Sequence, residues 1–224
     1  MSNTLYKEQF AKRIILVVTF LSVGYAVLRY NVVGDVPWKD LPLYVLNKGI
    51  SLASLLLLTL NFSLSPLRNL GIPISDKILS ARKSLGVTGF AYAFTHLLIS
   101  LSILNPAYYP VFFIEEGTLT LRGGLCLLGG VLSFILLWVY YKTFKEVLNK
   151  DYKIIAMITS KKSILYILFF LGVHLFFLGY TGWTTVHLWQ GRLPPISLIS
   201  FLIFLLGFLV NVFGRKGRNE EKGK

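Results

Sequence analysis

Six apolar runs of membrane length alternate along the chain with shorter polar or basic stretches. They fall at about 14–30, 41–61, 82–104, 122–143, 163–189 and 195–213. At about 1.5 Å of rise per residue, each predicts a helix able to cross the roughly 30 Å of a bilayer's hydrocarbon. The fifth run is the longest and least uniform. Its semi-apolar end, TGWTTVHLWQ, is expected to continue as helix past the hydrocarbon into the outer interface. The stretch NPAYYPVFFIEEGTLTL, residues 105–121, is aromatic but too short to span, and it reads as a segment lying at the outer interface. KEVLNKDYKIIAMITSKK, residues 145–162, reads as a short amphipathic helix on the inner surface. No internal repeat is visible. The pattern therefore predicts an all-α polytopic membrane protein, a six-helix bundle over 14–213, with residues 1–13 in front and a disordered tail, 214–224, behind.

Composition agrees with this reading. Of 224 residues, 54% are hydrophobic and 15% charged, where a soluble domain carries about 25% charged residues. No gap is long enough for a separate soluble domain. The N-terminus has the charge and apolar order of a signal peptide, but RYNVVGDVPW offers no small-x-small cleavage site, so the first run reads as a retained helix. Lys48 falls inside the second run. It can snorkel to the outer interface or pair with a heme propionate or a quinone oxygen. Arg122 and Arg192 are outer-side cations open to the same two readings.

The net charge of +13 is explained by position. Eighteen cations lie in the N-terminus, the second and fourth gaps and the tail. Four lie in the alternate gaps, and Lys48 falls within a helix. The positive-inside rule then places both termini in the cytoplasm, and a nucleic-acid partner is not expected. The single cysteine, Cys126 in LCLLGG, excludes an intrachain disulfide and a Cys-ligated iron-sulfur cluster, and it reads as a small packing residue.

The three histidines all fall in membrane-length runs, His96 in the third and His174 and His187 in the fifth. Ionisable side chains within a membrane are costly and usually functional, although any one of them can be a packing residue. The third and fifth helices run in the same direction, so their histidines can meet at similar depth. The ligand set is too small for a zinc or di-iron site, whereas bis-imidazole ligation of a b-type heme needs one histidine from each of two helices. Gly89, Ala91 and Ala93, with Gly172, Gly179 and Gly182, are small residues that would admit the ring or serve ordinary helix packing.

Two stretches carry a family resemblance. LTLNFSLSPLRNL, residues 58–70, is followed by ARKSLGVTGFAYAFTHLL, residues 81–98. Together they resemble the signature of the ferric reductase-like transmembrane family through Ser65, Pro66, Leu67, Arg68, Arg82, Lys83, Leu85, Gly86, Phe90, Tyr92 and His96. That family includes the heme-binding membrane subunits of periplasmic methionine sulfoxide reductase systems. Its later helix carries two histidines with twelve residues between them, as His174 and His187 have, and HLWQGRLPP resembles its short outer loop. The resemblance implies a six-helix core with one or two b hemes. It also implies electron transfer across the bilayer from a quinol or a separate flavin reductase to an acceptor at the outer face.

Arg82 stands where two-heme members carry their first histidine on the third helix. Two pairings compete. Depth counted from the inner helix ends favours His96 with His174. Family register favours His96 with His187 for the outer heme, with His174 opposite Arg82 for a second, inner one. Register is preferred here, since a long fifth helix can slide outward. On an ideal helix, however, His174 and His187 point about 140° apart.

The sequence thus predicts the membrane subunit of a b-type cytochrome in a prokaryotic plasma membrane, touching lipid and a redox partner protein or quinol. No Gly-x-Gly-x-x-Gly follows a predicted strand, so no dinucleotide site is expected. The alternatives are a non-catalytic membrane scaffold and a small proton-coupled transporter using the same histidines. Lack of membrane Asp or Glu counts against the transporter. The charge pattern makes a direct prediction: reporter fusions after Glu116 and Arg192 should read as external, and those after Lys150 and Arg218 as cytoplasmic. A cytoplasmic reading at Glu116 would invert the topology.

Overall fold

The computed structural model of the protein describes residues 3–114, 117–142 and 160–214. The described chain is helical apart from its turns and one isolated bridge between Phe113 and Leu119. The helices are α1 (Asn3–Val27), α2 (Leu46–Asn69), the short α3 (Asp76–Ser80), α4 (Arg82–Ser102), α5 (Leu121–Lys142), α6 (Lys161–Trp183) and α7 (Ile196–Phe213). All but α3 are long and apolar enough to cross a membrane, giving six spans. The chain is a multi-pass membrane protein. Large apolar side chains such as Leu16, Phe20 and Leu21 stand outward from α1, as they must where lipid is the solvent.

Element ends follow local chemistry. Ser75 caps α3 by accepting from the Ile78 N–H, and Ser160 caps α6 by accepting from the Ser163 N–H. At the end of α2, Gly71 takes φ 84°, and the N–H groups of Leu70, Gly71 and Ile72 close onto carbonyls of the last turn. α2 runs through Pro66 to Asn69, eight residues beyond the predicted end at Asn61. Asn61 is a polar residue buried at the α2–α4 contact and does not mark the membrane boundary. α1 begins at Asn3, so the segment expected ahead of the first helix forms its opening turns. The predicted inner-surface helix, apart from its last residues at the start of α6, and nearly all of the predicted disordered tail lie outside the described residues.

Two wide π-helical turns, Leu28–Val32 and Leu41–Val45, flank the first outer hairpin. The predicted interface segment after α4 is folded. Asn105 Oδ1 accepts from the N–H groups of Ala107 and Tyr108, and Phe112 is buried against Gly123 at the start of α5.

α2 packs along α4, and α5 along α6. Lipid tails are as apolar as leucine, so close approach rather than the hydrophobic effect must hold these pairs together. A Cβ on Gly89 would lie 2.9 Å from Leu58, and one on Gly86 2.9 Å from Asn61. A Cβ on Gly129 would lie 2.8 Å from the His174 backbone nitrogen and 2.9 Å from the Phe170 carbonyl. Hydrogen bonds join the same seams, Ser54 Oγ–H to Gly89 O at 2.8 Å and Ser133 Oγ–H to Ile167 O at 3.0 Å. Interhelical bonds of this kind average only about 0.6 kcal/mol in membranes, so shape complementarity carries more of the association. One core cluster includes buried Leu55, Leu58, Phe62, Leu137, Ile167 and Leu168. An aromatic group of Phe90, Phe94, Phe134, Trp138 and Tyr141 joins α4 to α5.

Gly129→Leu should lower stability by about 1–3 kcal/mol, as overpacking does, because backbone on α6 cannot rotate away. Gly124, on the same helix, has nothing within 4 Å of a built Cβ. Gly124→Ala should therefore be neutral or stabilising by up to about 1 kcal/mol. Unfolding titrations in mixed micelles compare the two, and equal losses would contradict the packing account.

Candidate functional site

His96 stands on α4, which packs on α2, and His174 on α6, which packs on α5; each is partly buried. His96 Nδ1 lies 2.8 Å from Asn47 Oδ1 on α2. The amide is oriented by its other end, since Asn47 Nδ2–H donates to Ser100 Oγ at 2.9 Å. An amide oxygen can only accept, so His96 carries its proton on Nδ1. His174 Nδ1 lies 2.9 Å from the backbone carbonyl of Cys126. A carbonyl also only accepts, so His174 is the same tautomer. The Cys126 thiol returns a hydrogen bond to the His174 carbonyl at 3.4 Å.

Each ring therefore keeps an Nε2 lone pair, and neither Nε2 has a protein hydrogen-bond partner among the described residues. A ring nitrogen fixed by a carbonyl or amide oxygen, with the other left free, is how proteins orient metal-ligating histidines. Gly130 makes room for the His174 ring: a Cβ there would lie 2.8 Å from its Nδ1.

His187 stands apart. α6 ends at Trp183, where the sequence predicted helix through 189. The carbonyl of Gly182 is taken by Thr185 Oγ1–H and Trp189 Nε1–H, which folds the following chain back over the helix end. His187 then falls in an exposed 3-10 turn, Val186–Leu188. His187 thus lies beyond the helix that carries His174, where the sequence expected both on one helix.

Arg82 is also committed elsewhere. Its Nε–H donates to Asn61 O at 3.1 Å and its Nη1–H to Ser65 Oγ at 2.7 Å, which binds the start of α4 to α2. His174 is bonded to Cys126 rather than to Arg82. Arg122 folds onto α6, donating to the carbonyls of Phe177 and Leu178 and to Thr181 Oγ1.

Of the two roles open to the glycines, Gly89, Gly172 and Gly179 take the packing one. Gly89 faces Leu58, Gly172 faces Phe204, and Gly179 faces Ser197 and Trp183. They bring helices together, while Gly129 and Gly130, unmarked in the sequence reading, border His174. Asn47 and Cys126 were the other residues missed in their role. Asn47 is a buried polar residue in a membrane helix next to Lys48, which is the one signal that could have drawn attention to it.

Two imidazoles form the donor set, and no group of three or more His, Cys, Asp or Glu comes together among the described residues. That set suits a planar group bringing its own equatorial nitrogens, such as heme, better than a bare ion. A separate apolar groove of about 360 Å³ lies between α6 and α7, lined by Phe169, Gly172, Val173 and Phe204 among others. Its walls are hydrocarbon almost throughout, so it offers no chemistry. Comparison with protein-family models and with curated proteins finds no match to this chain.

The tautomers are directly testable. Ring-nitrogen NMR shifts of the cofactor-free chain should report Nδ1–H imidazoles at His96 and His174 and a solvent-averaged ring at His187. An Nε2–H signal at either of these two histidines would remove the ligand geometry.

Proposed function

We propose that the chain is the membrane subunit of a b-type cytochrome, ferric reductase-like in kind, seated in a prokaryotic plasma membrane. One observation carries this reading: two imidazoles on parallel helices, each fixed through Nδ1 with Nε2 left as the lone pair. His96 and His174 would hold one heme between α4 and α6. When bound, the heme supplies a one-electron couple, and its redox chemistry is its own.

The chain's residues supply orientation and surroundings. Asn47 and the Cys126 carbonyl hold the two rings against rotation and raise the basicity of Nε2 by accepting the Nδ1 proton. Ser100 in turn holds the Asn47 amide. The aromatic group from Phe90 to Tyr141 and the packed inner half exclude water from the cytoplasmic side. The donor is a quinol or a separate flavin reductase, and the acceptor meets the outer face. One heme in the outer half is favoured over two, because Arg82 is engaged by α2 and His187 lies outside the helix.

Detergent-purified protein supplied with heme should show a Soret band that shifts on dithionite reduction. His96→Ala and His174→Ala should each abolish the shift, and His187→Ala should leave it intact. A colourless wild-type protein would sink the proposal. Retention of full heme in His174→Ala, with its loss in His187→Ala, would restore the register pairing.

A further inference from the structure

Lys48 follows Asn47 at the outer end of α2, where the two π-helical turns bring tyrosines around it. Its ammonium lies 4.3 Å from the centre of the Tyr44 ring, 5.2 Å from that of Tyr30 and 6.0 Å from that of Tyr109. The negative faces of these rings favour a cation where water is scarce. No carboxylate lies within ion-pair distance of Lys48 among the described residues, where the one ion pair joins Arg68 to Asp76. Asp40 is instead engaged by Tyr108, whose hydroxyl donates to it at 3.1 Å and whose ring stacks on Tyr44. Burial pushes the Tyr109 phenol above its ordinary range, so it stays neutral beside the ammonium. The charge is held, but it is not cancelled.

The cage is also joined to the histidine pair. Tyr109 lies against the Asn47 amide, and Asn47 accepts from His96. Snorkelling, one of the two readings open from the sequence, would carry the ammonium out to the interface. The tyrosine rings hold it beside Asn47, the residue that accepts from His96.

We propose that Lys48 is the fixed charge that sets the reduction potential of the centre held by His96 and His174. The proposal rests on the cytochrome reading. With a heme bound, its one-electron reduction by an external donor would lower the charge of the site by one. A cation fixed in surroundings of low dielectric stabilises that reduced state far more than one in water would. Tyr30, Tyr44 and Tyr109 act as positioning residues, because they fix where the charge stands.

The test is a spectroscopic redox titration of the full-length, heme-loaded protein with dithionite and ferricyanide. Wild type is compared with Lys48→Met, Lys48→Gln and Lys48→Arg. Both neutral variants should keep the Soret band and lose at least about tenfold in the equilibrium constant for reduction, which is a fall of about 59 mV for one electron. Lys48→Arg should stay near wild type. If one neutral variant fails to fold, the other decides. Unchanged potentials in heme-loaded neutral variants would overturn the proposal and leave the cytochrome intact. Loss of heme from both, with retention in Lys48→Arg, would make Lys48 an anchor of the cofactor and overturn its role in the potential. A colourless wild type would overturn the cytochrome reading and this proposal with it.

Discussion

Hydrocarbon offers no partner to an imidazole N–H, so a histidine inside a membrane bundle must find its partner in the protein. His96 finds the side-chain oxygen of Asn47, and His174 the backbone carbonyl of Cys126. Both acceptors lack a proton to give, which fixes both tautomers at once. The chemistry available to the site follows from that constraint. Had either ring been bonded through Nε2, the same two histidines would be ordinary buried polar residues.

Packing brings these partners within reach. The Cys126 carbonyl can serve His174 only because α5 and α6 approach closely at Gly129 and Gly130. Asn47 can serve His96 only because α2 and α4 approach at Gly86 and Gly89. Two helix pairs, each closed by small residues, thus present one imidazole apiece. α4 and α5 meet mainly through the aromatic side chains lower in the bundle.

The fold was legible because hydropathy period and length decide membrane spans almost alone. Six apolar runs became six spanning helices, with errors at the ends: α2 passes Asn61, and α6 stops before His187. The candidate pair was half legible. Depth along parallel helices put His96 level with His174. Register put it level with His187, and that argument needed a helix which Gly182 and the threonines after it terminate. The partners of the rings were not legible. Cys126 acts through its main-chain carbonyl, which no side-chain pattern reveals, and Asn47 acts through a contact between helices nearly fifty residues apart in sequence. The tyrosine cage depended on two π-helical turns that shift the phase of Tyr30 and Tyr44, and nothing in the residue order announces such turns.

The central claim is that both imidazoles ligate one iron through Nε2. Low-temperature electron paramagnetic resonance of the purified, heme-loaded ferric protein tests it most directly, because axial ligation governs the spin state. Two axial imidazoles predict a low-spin rhombic spectrum, replaced by a high-spin signal when either His96 or His174 is changed to alanine in samples that retain residual heme. A high-spin spectrum in the wild-type protein, or a low-spin one that survives loss of His174, would contradict the account.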